Sequence, residues 1–167
     1  APILNTSIPQ QYYSFSGGFK YKGFEVNLLF QGVGKYSKTI SGVGAYESEY
    51  QGVFTDLHLK AWTPERWNNG EEITYPALSL KASTNHQPNT FFIMDTSNMR
   101  LKNAEVAYTL PLNTSKKVFA EKIRFSLSGQ NLFTIDNMRS KHIDPEIANM
   151  GTFQPYRVYN IGVSLTF

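Results

Sequence analysis

Few residues in this 167-residue chain have the type and spacing to do chemistry. Cysteine is absent, which removes disulfides, thiolate metal sites and a thiol nucleophile together. His58, His86 and His142 stand far apart without the spacing of a metal site, and they read as ordinary loop residues. Glu47, Glu49, Asp56, Glu71 and Glu72 would suit a glycosidase pair or a Ca²⁺ site, but scattered acids in a polar segment are expected to be solvated. No motif has catalytic spacing, so neither an enzyme nor a cofactor is expected. Trp62, Arg66 and Trp67 are different, because aromatic faces stack on sugars and the surrounding Asn and Gln amides hydrogen-bond them. These three are the candidate substrate contacts; the plainer reading is that the tryptophans anchor a large loop through their own burial. Asp144-Pro145-Glu146 reads as a turn with a capping Asp.

The elements that must hold these residues announce themselves by period. Odd positions Tyr13, Phe15, Gly17, Phe19 and Tyr21 alternate with Ser14, Ser16, Gly18 and Lys20, and after Lys22-Gly23 the even positions Phe24, Val26, Leu28 and Phe30 take over. A two-residue turn at Lys22-Gly23 therefore pairs Tyr21 with Phe24 and Phe15 with Phe30, and sets Lys20 opposite Glu25 on the other face. Period two returns at Ala104, Val106, Tyr108 and Leu110, at Ile123, Phe125 and Leu127, and at Tyr159, Ile161, Val163, Leu165 and Phe167. Five antiparallel strands are predicted near residues 12–21, 24–33, 100–110, 122–133 and 157–167, with a bulge near Gly129. Between them, Tyr50, Val53, Phe54, Leu57 and Ala61 follow helical spacing, which predicts a short loop helix that Pro64 stops.

Composition narrows the setting. Only 17% of residues are charged, against roughly 25% in soluble domains, while 14% are aromatic. An aromatic-rich chain with net charge +3 is a folded one. No apolar run approaches the roughly 20 residues of a membrane-spanning helix. The greasy runs Tyr13–Tyr21 and Tyr159–Phe167 are each nine residues with aromatics at their ends, close to the roughly 9–11 residues of a tilted transmembrane strand with an interfacial girdle. Connections alternate short and long, as periplasmic turns and extracellular loops do. Residues 34–99 and 134–155 together carry a net −3, so no basic patch supports nucleic-acid binding. The start Ala1-Pro2-Ile3 carries no signal peptide and reads as a beginning partway through a gene.

Asn160-Ile161-Gly162-Val163-Ser164-Leu165-Thr166-Phe167 resembles the C-terminal assembly signal of bacterial outer-membrane barrels, with Asn160, Gly162, Leu165 and Phe167 at the signal positions. Gly23-Phe24-Glu25-Val26-Asn27-Leu28-Leu29-Phe30-Gln31-Gly32, Ala61-Trp62-Thr63-Pro64-Glu65, Met99-Arg100-Leu101-Lys102-Asn103, Tyr108-Thr109-Leu110-Pro111, Ser128-Gly129-Gln130-Asn131-Leu132-Phe133-Thr134 and Asp144-Pro145-Glu146 follow in order. As a set they resemble the C-terminal barrel region of SusC/RagA-type TonB-dependent transporters of Bacteroidetes, over nearly the whole chain.

The resemblance implies an all-β fold: antiparallel strands forming the end of a transmembrane barrel of about 22 strands, with long extracellular loops. Residues 1–167 would then be a partial domain, without plug or TonB box. It further implies a place in the Gram-negative outer membrane and import of glycans or oligopeptides. The implied partners are a SusD-like surface lipoprotein, TonB through the absent N-terminal part, the rest of the barrel and the bilayer. The competing expectation is a soluble all-β carbohydrate-binding domain, with the aromatics buried between two sheets.

Overall fold

The structure, a computed structural model, describes residues 6–41, 44–47, 54–79, 81, 84–87, 89–140, 142–147 and 152–167. In chain order the strands are β1 (Gln11–Tyr21), β2 (Phe24–Gly34), β3 (Ser37–Thr39), β4 (Ile93–Asp95), β5 (Asn98–Thr109), β6 (Lys122–Gln130), β7 (Thr134–Asp136) and β8 (Val158–Thr166), with two short α-helices, α1 (Pro64–Asn68) and α2 (Leu112–Ser115). The chain forms two compact units. One comprises Gln11–Val33, Asn98–Ile135 and Pro155–Phe167; the other comprises Ala1–Gln10, Gly34–Ser97 and Asp136–Gln154.

The first unit is the sheet that the period-two pattern predicts. Its strands lie in the order β1-β2-β5-β6-β8, and β7 pairs with β5. Lys22 and Gly23 both take positive φ, 46° and 88°, the backbone of a type I′ hairpin turn, whose twist matches its strands. Glycine is needed at 23, because a Cβ there would stand 2.5 Å from the Thr109 carbonyl oxygen. Register then carries the parity across the sheet: Val26 opposes Val106, Val106 opposes Leu127, and Leu127 opposes Ile161. The next row runs Phe24, Tyr108, Phe125, Val163. This apolar face is uncovered, with Val106 46%, Leu127 54% and Ile161 86% exposed. Beyond β1 and β8 no further strand pairs among the described residues, so both edges are open and the sheet does not close.

One irregularity falls elsewhere than expected. β6 keeps register with β5 through Asn103↔Gln130, so there is no bulge at Gly129. The slip is on β5, where Leu29 faces Asn103 but Phe30 faces Leu101, leaving Lys102 as the extra residue. The Lys102 carbonyl accepts the N–H of Asn131, whose φ of 53° ends β6 before residue 133. Gly129 serves packing instead, since a Cβ there would come within 2.5 Å of Leu132 Cδ2.

The second unit has its own core of Ile40, Ala45, Tyr46, Leu57, Ala61, Tyr75, Phe92, Met94, Met138 and Ile143, drawn from both long connections. Edge-to-face rings organise it, Tyr46 against Phe92 at 4.7 Å and Phe91 against Phe92 at 5.0 Å. A two-stranded sheet of β3 and β4 lies in this unit. The predicted loop helix is corrected. Residues 50–53 lie outside the described residues, Asp56–His58 is a single 3₁₀ turn, and Ala61 pairs with Tyr75 in an isolated bridge. Pro64 starts a helix instead of stopping one. It sits at the first helical position, where no N–H is needed, and the Thr63 hydroxyl accepts the Arg66 N–H to cap α1. Gly70, at φ 66°, ends α1 with the Glu71 N–H bonded to the Arg66 carbonyl. No described helix is long and apolar enough to cross a membrane.

Candidate functional site

Two surfaces carry polar groups in an arrangement that solvation alone does not require. On the sheet, the face opposite the apolar rows forms a concavity of about 700 Å³, lined among others by Ser16, Gly18, Asn27, Asn103, Glu105 and Ser128. Gly18 is required at its wall, because a Cβ would meet the Val26 carbonyl oxygen at 2.7 Å. The expected Lys20–Glu25 pair is present at 3.0 Å. It extends into a network that single-strand reading missed: Arg124 bonds Glu105 and lies 3.5 Å from Glu25, linking three strands. Two cations and two carboxylates leave this patch neutral, and its exposed members hold the strands in register more than they stabilise the fold.

The second surface belongs to the unit built from connections. Trp62, Ile73, Tyr75, Pro76, Phe91 and Arg139 line a groove of about 470 Å³. Trp62 is 40% exposed and Trp67 67%, so self-burial does not account for either tryptophan. Arg66 is engaged locally: it donates to the Ala61 carbonyl at 2.9 Å and faces Glu71 at 3.7 Å. The structure thus brings Trp62 into the groove but not Arg66 or Trp67. Arg139 replaces them there. Its guanidinium lies 4.3 Å from the centre of the Phe91 ring and donates to the Phe91 carbonyl. No described carboxylate is paired with it, and burial pushes it below its ordinary pKa. Nothing in the local sequence marks Arg139, because only the packing of the two long connections brings it to Phe91.

Behind the groove the tyrosine hydroxyl of Tyr75 donates inward, 2.8 Å from the Ala45 carbonyl and 3.0 Å from Glu47 Oε2. Burial raises the Tyr75 pKa and the Glu47 carboxylate adds to it. Burial opposes ionisation of Glu47, but hydrogen bonds from His86, the Ser79 N–H and Tyr75 outweigh it and hold the carboxyl below its usual value. His58 Nδ1 accepts the Thr55 N–H at 2.9 Å, and burial lowers its pKa. These are buried structural groups, none of them open to a substrate. Glu71 and Glu72 pair with Arg66 and Lys60, and Glu49 lies outside the described residues. Among the described residues no group of histidines and acids could hold a metal. Asp144 makes the expected turn, its carboxylate accepting the Glu146 N–H at 2.9 Å.

The terminal residues are positioned by β8. Asn160 opposes Ser128 and Gly162 opposes Ser126, while Leu165 opposes Ile123. A Cβ on Gly162 would stand 2.8 Å from Ser126 Oγ, so glycine lets β8 close on β6. Phe167 is 78% exposed.

Comparison with known proteins shows what the chain is similar to. No family model matches. The chain is 27% identical over 183 aligned residues to TonB-dependent receptor P3 of Formosa agariphila, covering 99% of the chain and 17% of that protein. It is 29% identical over 154 residues to TonB-dependent receptor P26 of the same organism, covering 90% of the chain and 15% of that protein. The RagAB peptide importer in its closed-closed state superposes with a TM-score of 0.71 at 22% identity, over 99% of this chain and 18% of that one. The open-open state gives 0.66 over 98%.

By sequence the chain is similar to TonB-dependent receptors, and it has the fold of part of the RagAB transporter. The expected family likeness and all-β fold are borne out, with the barrel unclosed. The chain spans about a sixth of the length of the receptors it matches, at 17% and 15%.

Proposed function

We propose that these residues supply the last membrane-crossing strands and the exterior connections of a SusC-like TonB-dependent transporter, which imports glycans or oligopeptides across a Gram-negative outer membrane. The observation that carries this reading is the sheet itself. One face is a continuous exposed apolar surface, the other a polar concavity with a neutral ion network, and among the described residues neither edge is paired with a further strand. In water such a face would seek a covering layer; against lipid it is already in its solvent. A soluble carbohydrate-binding sandwich would bury those aromatics between two sheets, whereas Phe15, Phe19, Phe125 and Val163 are all exposed.

In this reading β1 pairs with a preceding strand and β8 with the first strand of the complete barrel. Asn160, Gly162, Leu165 and Phe167 act as the signal read during membrane insertion. A SusD-like lipoprotein covers the exterior connections, and TonB engages a part of the protein outside these residues. Trp62 contacts substrate, with Arg66 supporting the tryptophan-bearing segment and Trp67 presenting a further ring.

The test is solubility of the isolated piece. Open edges leave N–H and C=O groups that no water satisfies inside a bilayer, so residues 1–167 expressed alone should aggregate or require detergent. A monodisperse, cooperatively unfolding monomer in plain buffer would refute the membrane reading.

A further inference from the structure

We infer that the groove walled by Trp62, Pro76 and Phe91 binds a carboxylate-bearing sugar ring of an acidic glycan, with Arg139 as its anion-recognising residue. The inference rests on the transporter reading and names the substrate class of its exterior unit.

The groove combines two features. Its walls are flat rings and a proline, the surfaces on which the C–H faces of a sugar stack. Tyr75 lies beneath the groove as part of the core, its hydroxyl turned inward and used there, so the stacking surface is that of Trp62, Phe91 and Pro76. At its edge is a guanidinium that spends one donor on the Phe91 carbonyl and has no paired carboxylate among the described residues. Arginine carries five N–H donors in a planar fork that matches a carboxylate. The contact with the Phe91 ring and the bond to the Phe91 carbonyl hold that fork in place, so little freedom is lost when an anion docks.

The backbone argues against an extended peptide. Strand addition requires free N–H and C=O groups along an edge. Here Thr74 N–H is bonded to the Lys60 carbonyl and the Tyr75 carbonyl to the Trp62 N–H, at 3.0 and 2.9 Å. A ring-stacking ligand needs neither group.

The experiment uses the complete transporter in detergent, titrated calorimetrically with oligomers of galacturonate, glucuronate and mannuronate, with their methyl esters, and with an acidic oligopeptide. A charge-assisted, bidentate contact predicts that at least one free-acid oligomer binds about tenfold or more tightly than its ester. Arg139→Gln should bring the acid down to the level of the ester while leaving the ester unchanged, and Arg139→Lys should restore part of the difference. Trp62→Ala should weaken acid and ester alike. Equal binding of acid and ester in all three sugars, or a preference that survives Arg139→Gln, overturns the inference. Binding of the peptide but of no sugar, lost in Arg139→Gln, overturns it in favour of a peptide site. The mobility of unheated and heated samples on gels separates this from the parent reading. A heat-modifiable barrel without acid preference sinks only the groove, whereas a protein with no heat-modifiable form sinks the transporter.

Discussion

Leu127 and Ser128 are neighbours on β6 that face opposite ways, and an arginine at each should behave oppositely. Leu127 sits between Val106 and Ile161 in the middle of the apolar face, and all three are exposed. If that face meets lipid, Leu127→Arg places a cation near the bilayer midplane at a cost of about 2–4 kcal/mol, roughly 30- to 900-fold in the folding equilibrium. Ser128 opposes Glu105 on the polar concavity, so Ser128→Arg gains a carboxylate partner across the strand and should change stability by less than about 1 kcal/mol. The assay is reversible folding of the complete protein into phospholipid vesicles, followed by heat-modifiable gel mobility across a urea series. Leu127→Arg should shift the midpoint strongly with an unchanged slope, and Ser128→Arg should barely move it. A Leu127→Arg protein within about 0.5 kcal/mol of the parent would mean that the apolar face is bathed in water, and the membrane reading would fail.

Gly23→Ala should destabilise by about 1 kcal/mol or more in the same assay, because φ is 88° there and the added Cβ would meet the Thr109 oxygen. Deleting Phe167 should lower the amount of protein reaching the outer membrane without changing the binding of what arrives, measured by fractionation and titration; unchanged yield would remove its role as a signal. The connection unit should loosen in acid: the folded pKa of His58 lies below the unfolded value near 6.5, so the unfolded state binds more protons and stability present above that pH is lost as it falls. Corrected for the intrinsic rate, which itself falls with pH, amide protection at residues 54–61 should drop between about pH 7 and pH 5.5, and His58→Gln, which still offers an acceptor to Thr55, should flatten that response.

What was legible in the sequence follows the range of the interactions involved. Strand parity is set by neighbours two apart and by the turn at Lys22-Gly23, so which residues of each strand share the apolar face could be written down in advance, Ile161 and Val163 among them. The bulge could not, because Lys102 looks like any other residue and is expelled only by the joint demands of Leu29, Asn103 and Asn131. Pro64 carried an ambiguous signal, since proline both ends helices and opens them; the Thr63 cap decided it. In the connection unit the helical spacing of Tyr50 to Ala61 misled, for residues 54–61 form no α-helix and the core is assembled from single apolar residues on separate segments. The site was half visible: Trp62 announced itself by type, while Arg139 becomes a partner for it only through the fold.

The core of that unit also sets how such proteins can be recombined. Met138 and Ile143, from the second connection, are packed among residues of the first, and the Ser140 hydroxyl bonds the Asp56 carboxylate at 2.6 Å. Exchanging residues 35–97 alone for those of a relative would seat a foreign sequence on two native plugs and one native hydroxyl, leaving voids or clashes of the kind that cost several kcal/mol in any core. Transplanting 35–97 and 137–154 together would carry the interior across intact. The two connections are therefore a single heritable cassette split by β5, β6 and β7, and new specificity would have to be acquired by changing both halves in step or by altering only the residues, such as Trp62 and Arg139, that the interior does not use.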